Sequence, residues 1–146
     1  MGDLAGLSGS AHLASGVRMH YYDTGEAPAT LVLIHGFPQT SWQWRHVIEP
    51  LAEAGYRVVA PDYRGAGHSS RPRLDPGYPA DVRAGEGIAC GGYTKWAMAE
   101  DIHLLVHDHL GLAGPLIVLG LDIGSMIATV LGTPTPNSPA EVRPRG

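Results

Sequence analysis

The chain contains one cysteine, Cys90, so no internal disulfide can form and stability has to come from packing. Only 10 of its 146 residues are Lys or Arg against 14 Asp or Glu, a net charge of -4, and the basic residues do not cluster. That balance excludes a nucleic-acid surface. No apolar run approaches the roughly 20 residues that a membrane span requires. The opening MGDLAGLSGS has neither a charged segment followed by an apolar one nor the hydroxyl residue that a myristoylation signal wants at its sixth position. Gly65-Ala66-Gly67 is too short for a phosphate loop and lacks the lysine that should follow. These absences lead to the expectation of a soluble, cytoplasmic protein with no nucleic-acid partner, metal or organic cofactor. What is present is 44% hydrophobic and 16% charged sequence, enough to build the core of one domain.

Segments of two periodicities alternate along the chain. GVRMHYYDTGE alternates through Val17, Met19 and Tyr21 and closes on Thr24-Gly25, which predicts the second arm of an antiparallel pair begun near Ala11 to Ala14. TLVLIHGF, YRVVAPDYR and PLIVLGLD read as three further strands, the first and last covered on both faces. SWQWRHVIEPLAEAG predicts a helix with Ser41 as candidate N-cap, a stripe of Trp44, Val47, Ile48 and Leu51, a stop at Gly55, and Pro50 either tightening or breaking its last turn. A second helix spans Thr94 to Leu110, with Met98, Ile102, Leu105 and Val106 inward. Strands alternating with helices predict an α/β fold, a mostly parallel sheet with an antiparallel N-terminal edge.

Two stretches carry chemistry. In PLIVLGLDIGSMIA, Gly120 and Gly124 bracket Asp122 where a strand turns into a helix. Residues without a Cβ on either side let the chain reverse sharply and hold the middle side chain in a strained, exposed pose, the layout of a nucleophile elbow with aspartate in the reactive position. The plainer reading is an aspartate that caps the helix starting near Ile123. In LIHGFPQTSWQW, His35, Gly36, Phe37 and Pro38 follow a buried strand at its C-terminal end, where open α/β sheets bind ligands. Gly36 permits close approach, and the Phe37 and Ile123 N–H groups together would make a two-donor oxyanion hole. His35, Gly36 and Pro38 support that turn, and His35 fixes it by hydrogen bonds.

HGFPQTSWQWR, PDYRGAGHSSRP, MAEDI and GLDIGSMIA, in this order, resemble the α/β-hydrolase superfamily and, within it, the epoxide hydrolases. The resemblance covers roughly residues 16 to 128. It implies that Asp122 attacks an epoxide carbon to form an ester and that Phe37 and Ile123 stabilise the oxyanion of ester hydrolysis. The implied partner is a small epoxide or related apolar substrate. Serine esterases are disfavoured by Asp122, and dehalogenases, the alternative with the same nucleophile, usually follow it with tryptophan or arginine where this chain has Ile123. Leu121 departs from the histidine common before the nucleophile.

The same resemblance requires a histidine base and an orienting carboxylate after the nucleophile. All 8 histidines precede Asp122, and the one acid after it is Glu141. The expectation is therefore an incomplete α/β-hydrolase fold over residues 1 to 131, lacking lid and C-terminal strands, truncated and unable to complete turnover, or else a non-catalytic remnant serving as an interaction module. Residues 71 to 92 read as a long loop or insertion and residues 132 to 146 as a disordered proline-rich tail. A sheet ending there exposes the Leu116 to Leu119 strand as an apolar edge. Other residues receive plainer readings. His103 and His107 lie on a solvated helix face, Asp62 anchors the RGAGHS turn through backbone N–H groups, and Trp42 and Trp44 either line a substrate cleft or pack the helix beside it.

Overall fold

The computed structural model describes residues 3–72 and 92–133. Cys90, nearly all of the predicted 71–92 loop and the tail from residue 134 lie outside the described residues. Five strands form one sheet: β1 (Ser8–His12), β2 (Arg18–Asp23), β3 (Ala29–Ile34), β4 (Tyr56–Pro61) and β5 (Leu116–Gly120), in the order β1-β2-β4-β3-β5. The first two junctions are antiparallel, while β3 runs parallel to both β4 and β5. The mostly parallel sheet with an antiparallel N-terminal edge is as the sequence predicts. The first arm of the hairpin begins three residues earlier than expected, at Ser8.

Three helices cover the sheet: α1 (Ile48–Glu53), α2 (Lys95–His103) and α3 (Ile123–Leu131). β3 is the centre of the packing because its alternate side chains go to opposite faces. Val32 and Ile34 join Met98, Ile102, Leu105 and Ile127 under α2 and α3, and Leu31 and Leu33 join Ile48, Val58 and Ala60 under α1. Thr94 caps α2 by accepting the Ala97 N–H at 3.1 Å, and the helix widens into a π-helical turn over Leu104–His109.

Three expectations need correction. The predicted helix from Ser41 is broken into a 3₁₀ turn (Ser41–Trp44) and α1, and Thr40, not Ser41, caps the turn through the Trp42 N–H. Ser41 is buried because its own N–H is held by Asp62. Pro50 sits in the first turn of α1, where its missing N–H has no partner to lose, and the break leaves Val47 41% exposed. Lastly, β5 is not covered on both faces. Leu116 and Val118 pack under α2 and α3, but the six-residue α1 does not reach across to Ile117 and Leu119, which stay 48% and 50% exposed. β5 is the edge of the described sheet. No described helix is long and apolar enough to cross a membrane.

Candidate active site

The turn after β5 is forced by close backbone packing. A Cβ on Gly120 would run into the Gly124 carbonyl, and one on Gly124 would meet the Ile34 carbonyl and lie 2.6 Å from the His35 oxygen. Both glycines are therefore required for α3 to begin directly against the end of β3. Between them Asp122 takes φ 52° and ψ -120°, the one non-glycine residue at positive φ among those described. An L-residue adopts that backbone at a cost, sustained here by the surrounding contacts. The Gly124 N–H closes the turn on the Leu121 carbonyl at 2.8 Å.

The aspartate does not cap its helix. Its Oδ2 accepts the Phe37 N–H at 3.0 Å, across 85 residues of sequence, and the nearby Ile123 N–H adds to the stabilisation of its charge. Those two donors, Phe37 first, hold the carboxyl below its ordinary value of 3.8, so it is anionic at neutral pH. Gly36 makes this approach possible, since a Cβ there would stand 3.0 Å from the Asp122 Cβ.

The loop that delivers Phe37 is fixed from behind. His35 is fully buried, and its Nδ1 lies 2.9 Å from the Gly36 carbonyl, which makes Nδ1–H the donor; the ring stacks on Tyr63 at 4.0 Å. Burial pushes its pKa down, so the ring is neutral. The Phe37–Pro38 peptide is cis, and the Gln39 N–H bonds the Gly36 carbonyl at 2.9 Å. Asp62, at the end of β4, ties this loop to the next. Its carboxylate accepts the Ser41 N–H at 2.7 Å and the His68 N–H at 3.0 Å. Burial alone would raise its pKa, but these N–H groups outweigh burial and lower it. The turn-anchoring reading of Asp62 thus corresponds to observed bonds.

Phe37, Pro38, Tyr63, Tyr93, Met98 and Ile123 line an open cleft of about 500 Å³. Neither tryptophan is among its walls: Trp42 lies under the Arg45 guanidinium at 5.6 Å, and Trp44 packs with Leu51 on the α1 side. None of the 8 histidines hydrogen-bonds Asp122. His103 and His107 face each other at 4.5 Å, but the His107 Nδ1 is bonded to the Leu112 carbonyl at 2.7 Å. Among the described residues no three His, Cys, Asp or Glu side chains gather as a metal site would need.

One element beneath the cleft escapes the sequence reading. Arg64 forks onto Asp101 through Nε–Oδ2 at 2.6 Å and a second nitrogen to Oδ1 at 2.7 Å, with 1% and 0% of the two residues exposed. Arg64 also donates to the Gly92 carbonyl at 2.7 Å, and Ser15 Oγ donates to Asp101 at 2.7 Å. The signal was available: Asp101 falls between Met98 and Leu105 on the inward face of α2, where a carboxylate requires a cation.

Residues 29–136 match the family model described as the alpha/beta hydrolase fold. The chain belongs to the α/β-hydrolase fold family. It is 49% identical over 119 residues to epoxide hydrolase A of Mycobacterium tuberculosis, a match covering 77% of this chain and 30% of that protein. A soluble epoxide hydrolase of a Corynebacterium species is 38% identical over 116 residues, covering 80% of this chain and 33% of the other. Among solved structures, an epoxide hydrolase of Vigna radiata superposes with a TM-score of 0.64 at 31% identity over 85% of this chain and 34% of its own. A laboratory-evolved variant of a potato epoxide hydrolase gives 0.67 at 30%, again over 85% and 34%. The chain thus spans about a third of the length of the relatives it matches.

Proposed function

We propose that this α/β-hydrolase chain carries the nucleophilic half of an epoxide-hydrolase reaction, in which Asp122 opens a small apolar epoxide to give a covalent ester. The observation that carries this reading is the carboxylate held at positive φ with the Phe37 N–H on it and the Ile123 N–H beside it. With Oδ2 accepting the Phe37 N–H, the other oxygen is presented to attack an epoxide carbon. The bond from that carbon to the ring oxygen breaks, and the ring oxygen takes a proton from water. Oδ2 becomes the carbonyl oxygen of the ester, already in contact with the Phe37 N–H, which together with the Ile123 N–H would stabilise the oxyanion of hydrolysis. The names of the relatives point to epoxides as the electrophile.

Hydrolysis of the ester needs a base to activate water and a group to orient that base. His35, the histidine next to Gly36, is buried with its Nδ1–H on a carbonyl, and the other seven make no bond to Asp122. On these residues the reaction halts at the ester. Intact-protein mass spectrometry after incubation with an aryl epoxide tests this: one adduct is expected on the native chain and none on Asp122→Asn, and equal modification of both would refute the assignment.

A further inference from the structure

On the antiparallel side of the sheet, a second set of groups is aligned by distances that suit nucleophilic catalysis. Ser8 Oγ stands 2.8 Å from His20 Nε2, and His20 Nδ1 stands 3.0 Å from Asp62 Oδ2. We propose that Ser8, His20 and Asp62 form a second nucleophilic centre that takes acyl or phosphonyl groups from neutral activated esters. The chemistry of this centre is separate from that at Asp122 and the two clefts share no lining residue, although Asp62 also holds the Ser41 N–H of the segment that follows Phe37.

The protonation states follow from the partners. Asp62 has its pKa lowered despite burial, because the Ser41 and His68 N–H groups bind its anion, so it accepts from Nδ1–H. That leaves the Nε2 lone pair facing the Ser8 hydroxyl, the tautomer a general base needs. His20 is 8% exposed and its backbone N–H is held by Ser69 Oγ at 2.9 Å, so the ring is fixed, while Ser8 is exposed at the start of β1. Ser8 and His20 open on a depression of about 680 Å³ whose walls include Leu4, Tyr22 and Trp42, apolar and aromatic surfaces for an acyl or aryl group. Asp3 on its rim disfavours anionic substrates. Ser8 and His20 are the catalytic residues of this centre, and Asp62 is a positioning residue.

In the step proposed, Ser8 Oγ attacks the carbonyl carbon or phosphorus and its proton passes to His20 Nε2. The bond to the leaving group breaks, an aryloxide recovering the proton from Nε2 or a fluoride departing into water. The Ser8 N–H is tied to the Ala5 carbonyl and is not free to serve the oxyanion. The centre therefore captures groups and releases them slowly, so a covalent adduct is the readout.

Ser10, exposed on the same strand, is an internal control. The native chain is treated with an alkyl fluorophosphonate and both serines are followed by peptide mapping. Ser8 is expected to label on the order of 100-fold faster than Ser10, the range of a positioned general base. His20→Ala should remove that advantage, and added imidazole should restore part of it, which a merely structural histidine would not show. Equal labelling of Ser8 and Ser10 in the native chain overturns the proposal even if His20→Ala fails to fold, and so does a Ser8 advantage that persists without His20.

Discussion

Replacing Gly124 with alanine should disable Asp122 without touching it. The new Cβ would lie 2.6 Å from the His35 carbonyl oxygen and closer still to that of Ile34, both backbone atoms of the β3 end. An ordinary contact begins near 3.4 Å, so α3 must retreat by about 1 Å. That retreat stretches the 3.0 Å bond from the Phe37 N–H to the carboxylate beyond hydrogen-bonding range. A displacement of this size at reacting groups costs roughly 100-fold in rate, and the overpacking itself costs about 1–3 kcal/mol. The assay is the rate of ester formation with an aryl epoxide, followed by intact mass. Gly132→Ala is the control, because its Cβ would meet nothing nearer than 3.6 Å at the end of the same helix, and it should alkylate at the native rate. A Gly124→Ala chain that alkylates as fast as the native one would refute the packing argument.

Three further outcomes are expected. Arg64→Met leaves the Asp101 carboxylate buried without its cation and should cost about 3–5 kcal/mol in urea unfolding, whereas Arg64→Met with Asp101→Leu should recover most of the loss. Asp122→Gly should abolish ester formation yet raise the thermal midpoint by roughly 3 °C, since glycine adopts φ 52° without the penalty an L-residue bears. His35, whose pKa is pushed below the ordinary 6.5 by burial, binds fewer protons folded than unfolded, so stability falls as pH drops below 6.5 until the folded pKa is passed. His35→Asn, which keeps a donor for the Gly36 carbonyl, should flatten that part of the stability profile in urea titrations at pH 7, 6 and 5.

The architecture was legible because β3 and β4 announce themselves as apolar runs and the β2 arm as alternation. The pair of glycines around Asp122 was legible for the same kind of reason: a backbone collision leaves its mark on residue type. Covering was harder to read. The run Leu116–Leu119 is as apolar as β3, yet its outer face is open, because burial depends on what packs against a strand and α1 is too short to reach it. The break before α1 hinged on the Ser41 N–H being drawn to Asp62, a contact 21 residues away that no local propensity encodes. Arg64–Asp101 and Ser8–His20–Asp62 are likewise pairings over long sequence separations, where the residue types are visible and their partners are not.

The most direct test of the central claim is the stoichiometry of a single incubation with an aryl epoxide, counting ester on Asp122 and diol in solution over time. The account predicts that ester rises to one per chain while diol stays below one equivalent. Diol accumulating over many equivalents in an Asp122-dependent manner, or no ester at all, would contradict it.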